Sequence, residues 1–247
     1  MSTLLAVLLF IVAVLISMRF FSGRIYDSVI VHMTKTWYAV VLERLPADSR
    51  VLDVGIGTAS ALAANARAVK EKGLRFVGVD YDEAYIERAK QVVEGAGLEK
   101  SVDLYCRSIF DAGLGKELLR ADGRSFDAVY FSGSISLMPE PARALKLCSE
   151  MLAPGGRIYI TQTFQKRNVP FGSVVKPLLK YITTIDFGQL TFEADLQRIL
   201  AAAGMKVEHD EVIRDSVDNY FQAARIIVLD PAGNYEEYPP PCAKKAL

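Results

Sequence analysis

The chain has 247 residues, 51% of them apolar and 23% charged, a composition that belongs to a folded globular protein and excludes a disordered one. Lys and Arg total 29 against 29 for Asp and Glu, so there is no positive excess to neutralise phosphates, and general nucleic-acid binding is excluded as a function. Cys106, Cys148 and Cys242 are far apart and odd in number, with neither a disulfide framework nor metal-ligand spacing, which fits a reducing compartment and predicts no metal site.

The first element is apolar. Met1 to Met18 carries no charged side chain, and Leu4 to Ile16 is an unbroken apolar run. A membrane-spanning helix needs about 20 such residues, and Phe20 and Phe21 can complete it. A cleaved leader calls for a basic start and a small-residue cleavage site, and Ser17-Met18-Arg19 is a poor one. A helix lying on the membrane surface calls for a polar face, which is absent. Residues 1–21 are therefore predicted to be a single transmembrane anchor. Arg19 and Arg24 place the domain after them on the cytosolic side of a single-pass membrane protein.

Residues 22–46 read as an amphipathic lid or linker helix, with Ile25, Val29, Met33, Trp37, Val40 and Val41 at three-to-four spacing and Pro46 ending it. Strands are predicted at 50–54, 75–80, 102–106, 126–131 and 157–163, with helices at 58–71, 82–95, 114–120 and 140–152 between or after them. A helix at 191–203 then precedes two strands, 205–213 and 221–229, with no helix between. The fold class is α/β: a seven-stranded, mostly parallel sheet with an antiparallel terminal hairpin and helices on both faces. The domain spans 47–230, and 231–247 is a Pro-rich tail.

The first strand runs into VLDVGIGTAS, where Gly55 and Gly57 permit a sharp turn and the helix near Thr58 aims free N–H groups at a ligand. Such a turn alone fits a dinucleotide fold or no ligand at all. Asp80 ends the second strand, where an acid can accept both ribose hydroxyls. The third glycine of a dinucleotide turn is replaced by Ser60. Asp53 before the turn repels a pyrophosphate but suits the ammonium of a methionine moiety, so the charges favour S-adenosylmethionine as cofactor.

Over residues 46–230 the chain resembles the class I, Rossmann-like methyltransferases. The resemblance is carried, in order, by LDVGIGT, VGVD, CRSIFD, FDAVYFSGSISLMPEP and LAPGGRIYI. It implies that Gly55 and Gly57 lie against the methionine part, Asp80 on the ribose and Tyr81 beside the adenine. It also implies Ser108 and Ile109 at the adenine edge and Ser132 near the methionine backbone. Many relatives carry an acid after the third strand; here either Ser108 or Asp111 could meet the adenine amino group. Tyr81 could equally pack on the next helix, and Asp111 could simply close a turn.

Methyl transfer chiefly requires alignment in a dry pocket, so a catalytic base is hard to read. FSGSIS after the fourth strand lacks the Asn/Asp-Pro-Pro-Tyr segment of enzymes that methylate adenine or glutamine nitrogen, and no acid cluster for a metal is present. His32, on the lid helix, is a candidate base, or else a surface or packing histidine; Tyr26 and Trp37 could wall the pocket or pack in the core. The segment after the fifth strand mixes Lys166, Arg167, Lys176 and Lys180 with Phe164, Phe171, Leu178 and Leu179. It suits lipid headgroups or an amphiphilic substrate, or a solvated lid. The expected function is methyl transfer to the O, S or N of a small, hydrophobic or membrane-partitioned acceptor. The alternatives are a methyltransferase of membrane-neighbour proteins and a non-catalytic donor-binding scaffold. The sequence leaves the oligomeric state open.

Overall fold

A computed structural model describes residues 31–122, 125–167 and 192–233. The expected anchor over 1–21, the start of the lid helix, most of the segment after the fifth strand and nearly all of the tail lie outside the described residues. Among the described residues no helix is long and apolar enough to cross a membrane.

Seven strands form one sheet: β1 (Arg50–Val54), β2 (Arg75–Asp80), β3 (Val102–Cys106), β4 (Phe126–Ser132), β5 (Leu152–Gln165), β6 (Lys206–Val212) and β7 (Gln222–Asp230). Their order is β3-β2-β1-β4-β5-β7-β6. The first five are parallel; β7 runs antiparallel to both β5 and β6. This is the expected sheet, with the hairpin placed so that the last strand inserts beside β5. Every residue of β1 is buried, as a strand covered on both faces must be.

Side-chain alternation splits the core into two layers. Val51 of β1 and Phe76 of β2 face the helices α1 (residues 31–44), α2 (Ser60–Ala63), α3 (Ala66–Glu71) and α4 (Glu83–Gly95). Leu52, Val54, Val129 and Phe131 face α5 (Leu114–Asp122), α6 (Pro141–Ser149) and α7 (Glu193–Ala203). Of the predicted stripe, Trp37 and Val41 are buried and Met33 and Val40 pack partly buried against the core; Tyr38 and Leu42 of α1, and Leu45 just after it, are buried beside them.

Three elements differ from expectation by more than two residues. The helix expected over 58–71 is two short ones, because the Asn65 side chain turns back to donate to the Ala61 carbonyl at 2.8 Å and across to that of Lys35 at 3.0 Å. The helix expected to reach 152 stops at Ser149. Strand β5 starts at Leu152 rather than 157, since Leu152 pairs with Phe126 and the chain bulges through Pro154-Gly155-Gly156 before Arg157 pairs with Ala128.

Two devices fix α1 to the domain. Lys72 Nζ donates to the carbonyls of Leu42, Glu43 and Leu45 at 2.7, 2.9 and 2.8 Å, capping the helix where its free carbonyls gather. At the other end, Trp37 Nε1 donates to Ser216 Oγ at 2.9 Å. The terminal hairpin is held by Arg225, only 2% exposed, which pairs with Asp210 of β6 and Glu193 of α7 and lies over the Phe164 ring. A buried charge is tolerated only when paired in this way.

Candidate donor-binding site

The site lies at the carboxyl ends of β1, β2 and β4, where parallel strands leave a crevice. Asp53 is fully buried and shares its face of the sheet with α1, because it is two residues on from Val51. The Tyr38 hydroxyl donates to Asp53 Oδ2 at 2.6 Å. Asp53 Oδ1 is also buried but has no hydrogen-bond partner. Burial pushes the Asp53 pKa up to about 7; the Tyr38 hydrogen bond opposes the rise and the Asp80 charge adds to it. Burial also raises the Tyr38 phenol, so it remains a donor. The Tyr130 ring packs edge-on against Tyr38, 4.9 Å between centroids, and its hydroxyl shares a hydrogen bond with Thr161. Ser132 Oγ lies beside that phenol without a hydrogen bond of good geometry, a second buried polar atom left open.

The turn after β1 is tied to β2 by Gly55 N–H donating to the Val79 carbonyl at 2.8 Å. Gly55 has φ of 77°, and a Cβ there would stand 2.6 Å from Ser134 Cβ, so only glycine lets the two loops meet. Ser134, in turn, donates to the Val54 carbonyl. The Gly57 N–H donates to Asp80 Oδ2 at 3.0 Å and the Asp82 N–H to Asp80 Oδ1 at 3.0 Å. These bonds orient the Asp80 carboxylate and leave each oxygen further lone-pair capacity. Burial raises its pKa and the two backbone donors oppose that rise. Thr58 Oγ1 is 2.8 Å from Ser60 Oγ at the head of the following helix.

The residues expected near the adenine lie after β2 and β3. Tyr81 is 81% exposed, so packing on the next helix does not account for it. Ile109 is buried, and the Ser108 hydroxyl accepts from the Phe110 N–H at 3.3 Å. Asp111 Oδ2 accepts from Arg107 Nε at 2.8 Å and from Ser108 N–H at 3.2 Å, and the guanidinium lowers its pKa. Asp53, Gly55, Gly57, Thr58, Asp80 and Ser132 thus converge at one edge, with Tyr81, Ser108 and Ile109 beside them. His32 is exposed on α1. Tyr38 and Ser134 belong to the site although neither stands out in the sequence. The available signal for Tyr38 is a polar-tipped ring within the buried stripe of α1, next to Trp37.

The pocket residues fit a donor carrying an ammonium, a ribose and an adenine. A buried carboxylate with one open oxygen matches the first, and a backbone-oriented acid with spare lone pairs the second. Residues 51–156 match the family profile described as a methyltransferase domain. A phosphatidylethanolamine N-methyltransferase of Cereibacter sphaeroides is 28% identical over 143 residues, covering 55% of this chain and 61% of that one. A demethylmenaquinone methyltransferase of Bacillus cereus is 31% identical over 142 residues, covering 58% and 56%. The matched stretch is thus less than two thirds of either relative. A methyltransferase of Thiobacillus denitrificans solved with S-adenosyl-L-homocysteine superposes with a TM-score of 0.54 at 18% identity, covering 79% of this chain and 90% of that one. The [4+2]-cyclase SpnF superposes with a TM-score of 0.59 at 19% identity, covering 79% and 80%. Residues 51–156 match a methyltransferase domain, and the sheet around them has the Rossmann-like fold of the class I methyltransferases. The cofactor of such a domain is S-adenosylmethionine.

Proposed function

We propose that the protein transfers a methyl group from S-adenosylmethionine to a small, membrane-partitioned acceptor. The observation that carries the donor half is the buried Asp53 with one oxygen bound by Tyr38 and the other open, beneath a glycine turn. In this reading Asp53 receives the ammonium, and the backbone at Gly55, Gly57 and Thr58 lines the methionine. Asp80 takes the ribose hydroxyls, Tyr81 and Ile109 flank the adenine, Ser108 meets its edge, and Ser132 faces the methionine backbone. The donor supplies a methyl on a sulfonium carbon whose leaving group is already activated by charge. The chain's own contribution is to orient, to exclude water and, through the Tyr38 hydrogen bond, to favour the ionised form of Asp53 against its burial.

The acceptor half rests on two supports. Both named relatives act on membrane-partitioned molecules, phosphatidylethanolamine and demethylmenaquinone. The apolar run before α1 is long enough, with Phe20 and Phe21, to anchor the chain in the same phase, and Arg19 and Arg24 put the domain on the cytosolic face. The test gives the detergent-extracted protein a methyl-labelled donor and a membrane lipid extract. Label is expected in the organic-soluble fraction. Label only in protein bands would favour a protein methyltransferase, and donor binding by calorimetry with no transfer to any fraction would favour a scaffold; either result overturns the proposal.

A further inference from the structure

Five large apolar or aromatic side chains remain exposed on the described surface: Tyr81, Tyr85, Leu137, Tyr220 and Phe221. All five lie at the carboxyl edge of the sheet. Tyr81 and Tyr85 follow β2, and Leu137 lies in the short turn after β4. Tyr220 and Phe221 form the tip of the hairpin between β6 and β7, whose first β7 residue, Gln222, pairs with Gln165 at the end of β5. The donor would cover Tyr81. Leu137, Tyr220 and Phe221, at 52%, 62% and 43% exposure, are not among the residues proposed to hold the donor.

The hairpin tip is built, not loose. Lys166 and Arg167 N–H groups donate to the Phe221 carbonyl, and Asn219 Oδ1 accepts from the N–H groups of Phe221 and Gln222. The two rings meet edge to face, 5.2 Å apart, and the Arg167 guanidinium lies 4.2 Å above Tyr220. Lys166 is neutralised by Asp218, while the Arg167 charge has no acidic partner among the described residues. Fixing two aromatic rings in water with a cation stacked on them suits a boundary between apolar and polar phases.

The course of α1 identifies that phase. Its Trp37 end reaches Ser216 and Gly133 at the carboxyl edge, and its Leu45 end is capped by Lys72 at the amino edge. The first described turn of α1 therefore lies toward the carboxyl edge, and the sequence before it includes the uncharged run from Met1 to Met18. We propose that Tyr220, Phe221, Leu137 and Arg167 form a membrane-docking face that seats the mouth of the donor site on the headgroup layer of an anionic bilayer. Tyrosine and phenylalanine rings at headgroup depth and an arginine over anionic lipid are the interactions such a layer offers. The proposal builds on the membrane-partitioned acceptor, but its readout needs no acceptor.

The full chain contains one tryptophan, Trp37, which is buried, so an added one can be read by difference. Phe221→Trp and, at an exposed position of the amino edge, Glu99→Trp are each bound to phosphatidylcholine–phosphatidylglycerol vesicles carrying brominated acyl chains. Donor affinity equal to that of the parent confirms folding of each variant. The Phe221→Trp emission is expected to shift blue and lose most of its added intensity to the bromines, while Glu99→Trp keeps a water-like spectrum. Vesicle-bound protein with Phe221→Trp unquenched, equal quenching at both positions, or a blue shift that follows protein concentration without vesicles would each overturn the docking face, the last by assigning it to a second copy. Tyr220→Ser/Phe221→Ser should slow turnover of acceptor presented in vesicles several-fold with unchanged donor affinity. A chain that docks as expected yet methylates no lipid fraction would leave this face standing and refute the proposed acceptor.

Discussion

The two edges of the sheet are built to opposite rules. At the amino edge, polar groups find partners. Lys72 gathers three carbonyls, Asp127 accepts from the Arg50 N–H at 2.7 Å, and Arg157 pairs with Glu208 and Asp230. At the carboxyl edge lie all three buried side-chain atoms without a partner among the described residues, Asp53 Oδ1, Ser132 Oγ and Gln165 Oε1, together with the exposed rings. Leaving a buried acceptor open costs about 1–3 kcal/mol, which a protein tolerates where a ligand completes the bond. The difference teaches that stability is concentrated at one edge and binding capacity at the other.

Mutations should separate the two. Asp80→Ala removes the ribose acceptor and should weaken donor binding by about 1.5–3 kcal/mol, roughly ten- to a hundredfold, measured by calorimetry on folded protein. Unchanged affinity would remove Asp80 from the site. Lys72→Met at the amino edge should do the reverse, lowering unfolding stability by about 1–3 kcal/mol in denaturant titration with donor affinity intact. A loss of donor affinity at constant fold would break the separation.

Acidity sharpens the comparison further. Asp53, pushed to about 7, holds a proton in the donor-free protein below that pH, and only its ionised form suits an ammonium. Donor affinity should therefore climb as pH rises toward 7, by up to about tenfold per unit, and level off above it. The sign for stability is opposite. Between the ordinary carboxylate range and 7 the folded, donor-free protein holds the extra proton, so its stability falls as pH rises through that window. The groups acting on Asp53 are Tyr38 of α1, Asp80 of β2 and Tyr130 of β4. Since the Tyr38 bond lowers the Asp53 pKa, Tyr38→Phe should move the affinity profile to higher pH, which a purely structural tyrosine would not do. The smallest effect is expected at the exposed lid position. His32→Ala should leave turnover within about twofold of the parent, because general-base catalysis, worth a hundredfold or more, needs contact with the acceptor. A greater loss would restore His32 as a base.

Much of the fold is legible in the sequence because local rules and tertiary demands coincide. Short apolar strands, a glycine turn and an acid about twenty residues later leave few alternatives, so the sheet, and the placing of Asp53, Gly55 and Asp80 toward its carboxyl edge, can be read directly. The features that escape such a reading depend on contacts across the chain. Tyr38 meets Asp53 only because α1 packs on one particular face of β1, and nothing in the stripe of α1 distinguishes Tyr38 from a core ring. Asn65 breaks a helix through a bond to Lys35 of another element. The Pro154-Gly155-Gly156 stretch looks like a turn that ends pairing, whereas it bulges within a continuing strand. Gly57 is recognisable for its turn, but not as the donor that orients Asp80.

The antiparallel insertion of β7 has a consequence for how such an enzyme can change. A parallel strand in that place would receive its connection at the amino edge. The reversed strand instead delivers a hairpin tip, residues 213–221, to the active edge, supported by Arg225 buried behind it. The length and chemistry of a hairpin tip can drift without altering the register of either strand. On the proposed reading, the fold has a replaceable fingertip beside a fixed donor grip, so that new acceptors can be explored at the fingertip while methyl-donor recognition stays constant.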